Sequence, residues 1–478
     1  MNRAGHLALV AVLTAGCATH VPQVLDPHYV PKFFSERELS PELWPQAYWW
    51  QQFGSSELSD FVRTGQEDNR DLAVATAGIA QAHAQVVIQR AALFPQVTLQ
   101  AQGQRAGARS NESSAVSGTV TGNAFELALG GSYSVDISGL ARADLRAANE
   151  TLKSSRFALQ SVTLTVTANI ADAYFSVLAL RKRIAIANED LLAINGILET
   201  IQLRVRAGSS SRLDLAQEQA QVESVEAQLP VLQEQELEAR LSLAVLLGRT
   251  PEDMNITTVP LDTIHLPLVS PGLPSDLLQR RPDVAEAEAA LASAHASVDA
   301  ARAAFLPQFA LTGSDGFAST ALSTLVHGPS VVWEYGGNLL QAVFDGGRLV
   351  GQKKLAEGAQ QELIASYQRA VLNAYADVEA ALGQVRHNDL SQQHLLREVE
   401  AAQEAFQIAQ LQYRQGTTDL LTVLQSQQTL FAAEDQLAQT ALAHMQAVVH
   451  LYEALGGGWE ENAREQTQLE VVKHSGAL

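Results

Sequence analysis

The chain has 478 residues, of which 46% are hydrophobic and only 6% aromatic, and its formal net charge is −20. This charge argues against a nucleic-acid binder, because phosphate contacts require clustered Lys and Arg. The twelve histidines are scattered without metal-ligand spacing, and no nucleophile-elbow, Walker or dinucleotide-binding glycine pattern stands in its required context. The composition therefore favours long helices in a protein that is not an enzyme and uses no cofactor or metal.

The N-terminus has the pattern of an export signal. Residues 1–16 combine an Arg, an apolar run and small residues, as a secretory signal peptide does. Cys17, the only cysteine, resembles the lipid-modified Cys of bacterial lipoproteins, and Ala18 after it implies sorting to the outer membrane. The alternative is an ordinary signal peptide cut nearby, because Thr14 stands where lipoprotein signals usually carry Leu. We expect residues 17–65 to form a lipidated N-terminal segment and part of an equatorial region.

The rest of the chain is a duplication. Segments 71–99 and 283–311 share about half of their residues, and the match continues towards the C-terminus. The period is too long for a solenoid and indicates two copies of one supersecondary unit. The boundaries are 66–250 for repeat 1, 251–273 for a proline-rich linker, 274–457 for repeat 2 and 458–478 for a C-terminal tail, and we expect the linker and the tail to lie in the equatorial region.

Each repeat begins with a helix that runs into a proline and continues as strands. Pro95 and Pro307 mark the two helix-to-sheet junctions, since the residue before Pro is pushed out of the α region. The apolar and polar residues then alternate, so each strand has one polar face. The predicted strands are 97–104, 125–137, 309–317 and 331–344, with a Gly/Ser-rich loop at 106–123.

A very long helical hairpin follows the strands in each repeat. No proline and one glycine interrupt the segment from Leu140 to Ala207, which as a helix would span about 100 Å. Heptads in both repeats end at Gly208 and Gly416, and a polar turn and a returning helix follow each glycine. Taken alone, such a hairpin predicts a soluble antiparallel coiled coil.

Strands and hairpins together predict a membrane assembly. Four amphipathic strands cannot close a barrel, and a sheet in a membrane cannot leave its edges open. Several chains must therefore contribute strands to one barrel. The predicted fold class is an α+β membrane protein, built from a duplicated unit, with an outer-membrane barrel continued by a long α-helical coiled-coil periplasmic tunnel.

Distinctive motifs are spread over nearly the whole mature chain. They are "WWQQF" (49–53), "NRDLAVATAGIAQAHAQ" (69–85), "SYSVDISG" (132–139), "RVRAGSSSRLDLAQ" (204–217), "LPSDLLQRRPDVAEAEAAL" (273–291), "VFDGGRL" (343–349) and "YRQGTTDLLTVLQSQQTL" (413–430). These motifs resemble the outer-membrane factors of the TolC superfamily, and most of all their OprM- and NodT-like efflux lipoproteins. The resemblance implies a homotrimer with a twelve-stranded barrel and a helical tunnel. It also implies a periplasmic adaptor protein and an inner-membrane pump, usually of the resistance-nodulation-division type, as partners.

The resemblance places the hairpin turns at a periplasmic tip that meets the adaptor and the pump. The implied tip residues are Arg206, Gly208, Ser209, Arg414, Gly416 and Thr417. The candidates for contacts that hold the aperture closed are Arg212, Asp214, Tyr413 and Asp419. The alternative for these candidates is that they cap the turns or face solvent. Gln425 and Gln428 replace an acidic and a basic residue of the family pattern, which argues against a charge-based lock there.

The expected function is passive export of small molecules, such as drugs or toxic compounds, through an outer-membrane duct. One alternative is the outer-membrane duct of a type I protein-secretion system. Another is a periplasmic coiled-coil scaffold lipoprotein, which would have no need of amphipathic strands. Acidic side chains that face the lumen would favour cations. The substrate is not readable, because selection in such systems resides largely in the pump.

Overall fold

The computed structural model describes residues 46–109, 119–254, 256–257, 259–267, 277–278 and 280–457. The helices are α1 (Ser56–Asp68), α2 (Arg70–Ala91), α3 (Leu140–Arg206), α4 (Arg212–Leu246), α5 (Pro282–Ala303), α6 (Arg348–Gln415) and α7 (Leu420–Ala454). The strands are β1 (Gln96–Arg109), β2 (Thr119–Val135), β3 (Gln308–Ser319) and β4 (Val331–Leu340). The order of helix, two strands, long helix and returning helix occurs twice. The predicted signal peptide, Cys17 and the tail at 458–478 lie outside the described residues.

The four strands form one antiparallel sheet in the order β1-β2-β3-β4. Its register places Leu99 opposite Leu129, Leu129 opposite Asp315, and Asp315 opposite Trp333. Directly opposed residues share a face, and side chains alternate between faces along each strand. Over residues 96–107, 121–135, 308–319 and 331–340, the odd-numbered side chains therefore lie on one face and the even-numbered ones on the other.

The two faces differ in polarity. The odd face carries Val97, Leu99, Phe125, Leu127, Leu129, Tyr133, Val135, Phe309, Leu311, Phe317, Trp333, Tyr335 and Leu339. The even face is rich in Gln, Ser and Thr. Trp333 and Tyr335 are each 69% exposed in the single chain. So much apolar surface in contact with water is unfavourable, and a lipid environment removes that cost. Arg105 and Asp315 are charged residues of the odd face, in the strand halves remote from the helices.

The strand bounds differ from the predicted ones. β1 and β2 remain paired as far as Arg109 opposite Thr119, so both flanks of the predicted loop at 106–123 are strand. The Gly and Ser residues there read as loop, but ladder hydrogen bonds depend on the backbone and extend through them. β4 ends at Leu340 rather than at residue 344. Its partner β3 begins at Gln308, opposite Leu340, and the preceding Pro307 has no N–H to donate, so the pairing ends there.

The long helices have nearly equal lengths of 67 residues for α3 and 68 for α6, or about 100 Å each. Both follow a glycine in the left-handed region, Gly139 with φ 77° and Gly347 with φ 88°. An aspartate accepts backbone N–H groups at each start, Asp136 at 3.1 and 3.0 Å and Asp345 at 3.0 and 2.9 Å. These caps let each chain leave the sheet and enter a helix within a few residues.

The main hydrophobic core lies midway along α3, where the segment before α1 packs against it. Trp49 is 1% exposed and stacks on Tyr452 with ring centroids 4.9 Å apart, and Phe53 lies 5.0 Å from Phe175. An 18-residue window of α3 has a mean hydropathy of 1.3, enough to cross a membrane by length and composition alone. Because 56% of this window is buried within the protein, the helix is better explained as a core helix.

The ends of α4 and α7 pack tightly against backbone. Gly248 has φ 66°, and a Cβ there would lie 2.3 Å from the carbonyl oxygen of Asp68. Gly456 has φ 85°, and a Cβ there would lie 2.4 Å from the carbonyl oxygen of Arg280. Only glycine fits such a close approach with a left-handed φ. Gly248 and Gly456, which follow Leu247 and Leu455, thus hold the returning helices against the starts of their own repeats.

Candidate functional site

The two prolines stand between a helix and a strand. α2 ends at Ala91 and β1 begins at Gln96, with Pro95 directly before it, and Pro307 stands in the same way before β3. The last two residues before each proline donate i→i+3 bonds, such as that from the N–H of Phe94 to the carbonyl of Ala91 at 3.1 Å. The helical part of the molecule gives way to the sheet at these two points.

Both long hairpins turn at a glycine with left-handed φ, Gly208 at 74° and Gly416 at 75°. The following residues, Ser209 and Thr417, donate their N–H to the carbonyl five residues earlier, at 2.8 and 3.0 Å. Their hydroxyls donate to the same carbonyls, both at 3.1 Å. These bonds complete a Schellman motif at the ends of α3 and α6. Four of the six predicted tip residues therefore build two closely similar turns.

The returning helices begin with acidic caps. Asp214 accepts hydrogen bonds from the Ser210 hydroxyl at 2.6 Å and the Ser211 N–H at 2.9 Å, and the Ser211 hydroxyl accepts from the Asp214 N–H at 3.0 Å. Asp419 accepts from the hydroxyl and the N–H of Thr422, at 2.7 and 3.0 Å. These hydrogen bonds, led by those from the Ser210 and Thr422 hydroxyls, lower the pKa of both carboxyls. Two of the four aperture candidates thus cap helices.

Arg204 joins the two turns and was missed by the sequence analysis. Its guanidinium lies over the Tyr413 ring, with Cζ 4.5 Å from the ring centroid. Its Nη2 donates to the main-chain oxygens of Tyr413 at 3.3 Å and Arg414 at 3.4 Å. We name this arrangement of Arg204, Tyr413 and Arg414 the tip clasp. It connects the end of α3 in repeat 1 to the end of α6 in repeat 2.

An apolar cluster lies beside the tip clasp. It consists of Ile197, Ile201, Ala409, Tyr413, Leu420, Val423 and Leu424. These residues come from α3, α6 and α7, so the two hairpins are packed together at their tips. The aperture candidate Tyr413 is 8% exposed and belongs to both the cluster and the tip clasp.

Basic side chains surround the turns. Arg206, Arg212 and Arg414 are exposed, and within the described residues none of them forms an ion pair. The Nε of Arg206 donates only to the carbonyl of Gln202 in its own helix, at 3.3 Å. The turn surface therefore presents positive charge in an otherwise acidic chain.

The two glutamines that depart from the family pattern carry no charge at their positions. Gln425 is exposed, and the Nε2 of Gln428 donates to the Oε1 of Gln221 in α4 at 2.8 Å. The Gln428 side chain links α7 to α4 through two neutral amides. An ion-pair lock built from these two positions is therefore impossible in this chain.

Polar contacts join α3 to α7 at intervals away from the tip. Their pairs are Asp190–Gln427 at 2.8 Å, Arg183–Asp435 at 2.6 and 3.2 Å, Ser176–Gln446 at 3.3 Å and Asp172–His450 at 2.9 Å. The partner numbers rise in α7 as they fall in α3, as antiparallel neighbours require. The pair Arg183–Asp435 is bidentate, with both side chains 22% exposed. We name this row of contacts the α3–α7 ladder.

The motif "RRPDV" forms an ion-pair clamp. The Arg281 side chain is 11% exposed and pairs with Asp283 at 2.7 Å and Asp377 at 3.0 Å. Its Nη1 also donates to the carbonyl of Ala454 at 3.2 Å. The side chain thus ties the start of α5 to α6 and to the end of α7. In the part of the chain that the structure describes, no group of three or more His, Cys, Asp or Glu is placed to hold a metal ion.

Comparison with known proteins identifies relatives along nearly the whole chain. The family described as outer membrane efflux protein matches residues 63–249 and 273–457, once in each repeat. The pyoverdine export outer membrane protein OpmQ of Pseudomonas putida is 36% identical over 464 residues, 96% of this chain and 98% of that protein. The toluene efflux pump outer membrane protein TtgC of Pseudomonas putida is 30% identical over 488 residues, 98% of each. The solved outer-membrane channel OprN has a TM-score of 0.83 at 28% identity, over 91% of this chain and 99% of that chain.

These matches confirm the predicted fold class and the outer-membrane location. The four strands of this chain form one third of a trimeric twelve-stranded barrel, and its hairpins form one third of the helical tunnel. Lipid attachment at Cys17 stays a prediction. The duplicated match, the amphipathic sheet and the long hairpins lead to one assignment: the chain belongs to the outer membrane efflux protein family, within the TolC superfamily.

Proposed function

We propose that this outer-membrane efflux channel is the exit duct for small molecules, such as drugs or toxic compounds, in a tripartite system. In this proposal the homotrimer receives its cargo from an inner-membrane pump of the resistance-nodulation-division type, through a periplasmic adaptor. The duct itself is passive, and the pump supplies the energy. Acylated Cys17 anchors the chain to the outer membrane in addition to the barrel.

The observation that carries the proposal is the combination, in one chain, of an amphipathic sheet with hairpin helices of about 100 Å. A sheet with a lipid-facing side needs a membrane, and helices of that length reach far into the aqueous space beside it. A scaffold lipoprotein needs no such sheet. Two of the relatives, OpmQ and TtgC, are named for pyoverdine export and toluene efflux. Both are small solutes, which favours small-molecule efflux over protein secretion.

We propose that the two turns dock the adaptor. Gly208, Ser209, Gly416 and Thr417 are exposed and keep their backbone in compact Schellman turns, which suits a rigid contact surface. Arg206 and Arg414 flank these turns and add positive charge, for which an acidic adaptor surface is the complement. Of the aperture candidates, Tyr413 in the tip clasp is the one best placed to hold the two hairpins together, and Arg212 stays exposed at the start of α4.

The test is reconstitution in a host that lacks its own efflux channels. The chain is expressed with a periplasmic adaptor and an inner-membrane pump of the resistance-nodulation-division type, and cellular accumulation of fluorescent efflux substrates is measured. We expect accumulation to fall only when all three components are present, and omission of the adaptor is the control. Unchanged accumulation, together with export of a type I protein substrate, would overturn the proposal in favour of protein secretion. The lipid anchor is tested with Cys17→Ser. We expect the membrane to retain less of this variant than of the wild type after an extraction that leaves the barrel folded.

A further inference from the structure

A glutamate occupies a core position of the first hairpin. In α4, Glu218 stands in a heptad series with Val222, Val225, Leu229 and Leu232, at alternating spacings of four and three. Val222 and Val225 are buried in a cluster with Ile194 of α3, and Glu218 itself is 0% exposed. Residues at such positions face the partner helix, so the carboxyl points into the packed wall of the tunnel. Charged side chains are almost never fully buried without a partner.

The carboxyl of Glu218 has no hydrogen-bond partner at either oxygen among the described residues. Two nearby groups are also short of donors. Gln427 of α7, 2% exposed, donates its Nε2 to Asp190 Oδ1 of α3 at 2.8 Å, but its own Oε1 and the Asp190 Oδ2 lack partners. We name Asp190, Glu218 and Gln427 the buried acid site. It gathers four buried acceptor oxygens without a donor, an arrangement that is costly unless a cation or a proton enters.

The charged groups around the site do not supply the missing positive charge. On α3 they are Asp190, Glu189 and Lys182, and on α7 Glu434 faces the same three side chains. The Lys182 Nζ lies 2.9 Å from Asp262, to which it is already paired. Arg183, the next cation along α3, is engaged by Asp435 in the α3–α7 ladder. The surroundings are therefore acidic, and both neighbouring cations are committed to other carboxylates.

The protonation behaviour agrees with this geometry. Burial, followed by the charge of Asp190, raises the pKa of Glu218 to about 7. Burial also raises the pKa of Asp190, and burial with the charges of Glu189 and Asp190 raises that of Glu434. All three changes favour proton uptake at the same place.

We propose that the buried acid site binds a proton on Glu218 and that this proton locks α4 against α3 and α7 in the tunnel wall. With the proton bound, the pair carries a single negative charge, which the Gln427 amide stabilises. When the proton leaves, two carboxylates face each other inside the wall, and the packing of α3, α4 and α7 loosens. Repeat 2 has Ser426 at the equivalent position, and its hydroxyl is bonded to the Thr422 carbonyl at 2.8 Å, so the site exists once per chain.

The sign of the pH effect follows from the raised pKa. The folded trimer holds the proton more tightly than the unfolded chain does. The resulting stabilisation is complete at acid pH, declines as pH rises past the usual glutamate value, and is lost above the folded pKa. This lock is independent of what the channel exports.

The test compares the intact trimer of the wild type with Glu218→Gln, in which the amide replaces the protonated carboxyl. Thermal unfolding midpoints are measured from about pH 5 to about pH 8. We expect the wild-type midpoint to fall with rising pH relative to that of the variant, and Glu223→Gln, at an exposed position of the same helix, to follow the wild type. Identical pH dependence of the wild type and Glu218→Gln would overturn the proposal.

A second measurement does not depend on the stability of the variant. Infrared difference spectra of the wild-type trimer, recorded between acid and alkaline pH, should show a buried protonated carboxyl whose band is absent in Glu218→Gln. Should that variant not assemble, Glu218→Ser, which copies repeat 2, replaces it. The thermal unfolding midpoint at alkaline pH is also measured with added Mg²⁺ or Ca²⁺. If it rises in the wild type but not in the variant, the site binds a metal ion, and the proposal of proton binding is overturned.

Discussion

The tip clasp sets how firmly the two hairpin turns are held together. In Arg204→Ala the two hydrogen bonds, at 3.3 and 3.4 Å, and the contact with the Tyr413 ring are lost, while Ala keeps the helix intact. Charged hydrogen bonds of this length contribute about 1.5 kcal/mol together. The partly exposed cation–π contact adds about 0.5–1 kcal/mol. The loss is about 2 kcal/mol per chain, so we expect the population of separated tips to rise about 30-fold.

The assay is single-channel recording of the purified trimer in a planar lipid bilayer, without adaptor or pump. We expect Arg204→Ala to open more often than the wild type. Arg206→Ala is the matched control. It removes the same charge two residues away, and among the described residues the Arg206 side chain bonds only within α3. Tyr413→Phe should resemble the wild type, since the tip clasp uses the ring and a main-chain oxygen.

Arg204→Lys separates charge from geometry. Lysine keeps the positive charge but lacks the planar fork that reaches two carbonyls and stacks on a ring, so we expect an intermediate effect. Equal opening of Arg204→Ala and Arg206→Ala would refute the reasoning, because the tip clasp would then contribute nothing beyond general charge.

Other parts of the molecule carry predictions of their own. Glu126 and Glu334 are the charged residues of the even, lumen-facing side in the described strands. Reversal potentials in a salt gradient should therefore show a preference for cations, and the double Gln variant should show a weaker one. A preference of the wild type for anions would contradict this. Trp49→Ala should lower the free energy of unfolding by about 3–5 kcal/mol, measured by denaturant titration, and a loss near zero would count against the assigned core. The lowered pKa of Asp214 implies a capping box that is present above the usual carboxyl pKa and is lost as pH falls through the lowered value. The protection of the first-turn amides of α4, measured by hydrogen exchange relative to the intrinsic rate at each pH, should therefore fall in acid, and in Asp214→Ala it should be low at every pH.

Local signals in the sequence were enough to predict the architecture. Pro95 and Gly208 act on their own backbone, through a fixed φ and a tolerated left-handed φ, so the helix-to-strand junction and the hairpin turn follow from neighbouring residues. The prediction of a loop at 106–123 was wrong at both flanks, because strand pairing there does not depend on neighbouring residues. Pairing from Gly103 opposite Phe125 onward is decided by the register of the partner strand, which composition does not report.

Contacts between distant residues were the ones that sequence reasoning missed. Arg204 lies in "RVRAG" beside Arg206, and nothing local distinguishes the one that reaches Tyr413 in the other repeat. Glu218 could have been found, because its four-three spacing to Val222 and Val225 places a charge in a heptad core. The signal was hidden by the many Gln and Glu residues of the surrounding helix, which read as a solvated face.

The α3–α7 ladder and the tip clasp together indicate where the tunnel wall gives way first. Arg183 and Asp435 form a bidentate, partly buried ion pair, which resists separation more than a single bond does. Between that pair and the turns, α3 is held to α6 and α7 by the hydrogen bond from the Gln427 amide to Asp190, by the long hydrogen bonds of the tip clasp and by the non-directional contacts of the apolar cluster. Moving α6 and α7 away from α3 therefore breaks the weaker contacts near the tip before it reaches Arg183. We expect the wall to open from the tip and to hinge near this ion pair. Arg183→Ala should therefore extend the opening further along α3 than Arg204→Ala does. The measurement is the distance between spin labels on α3 and α7.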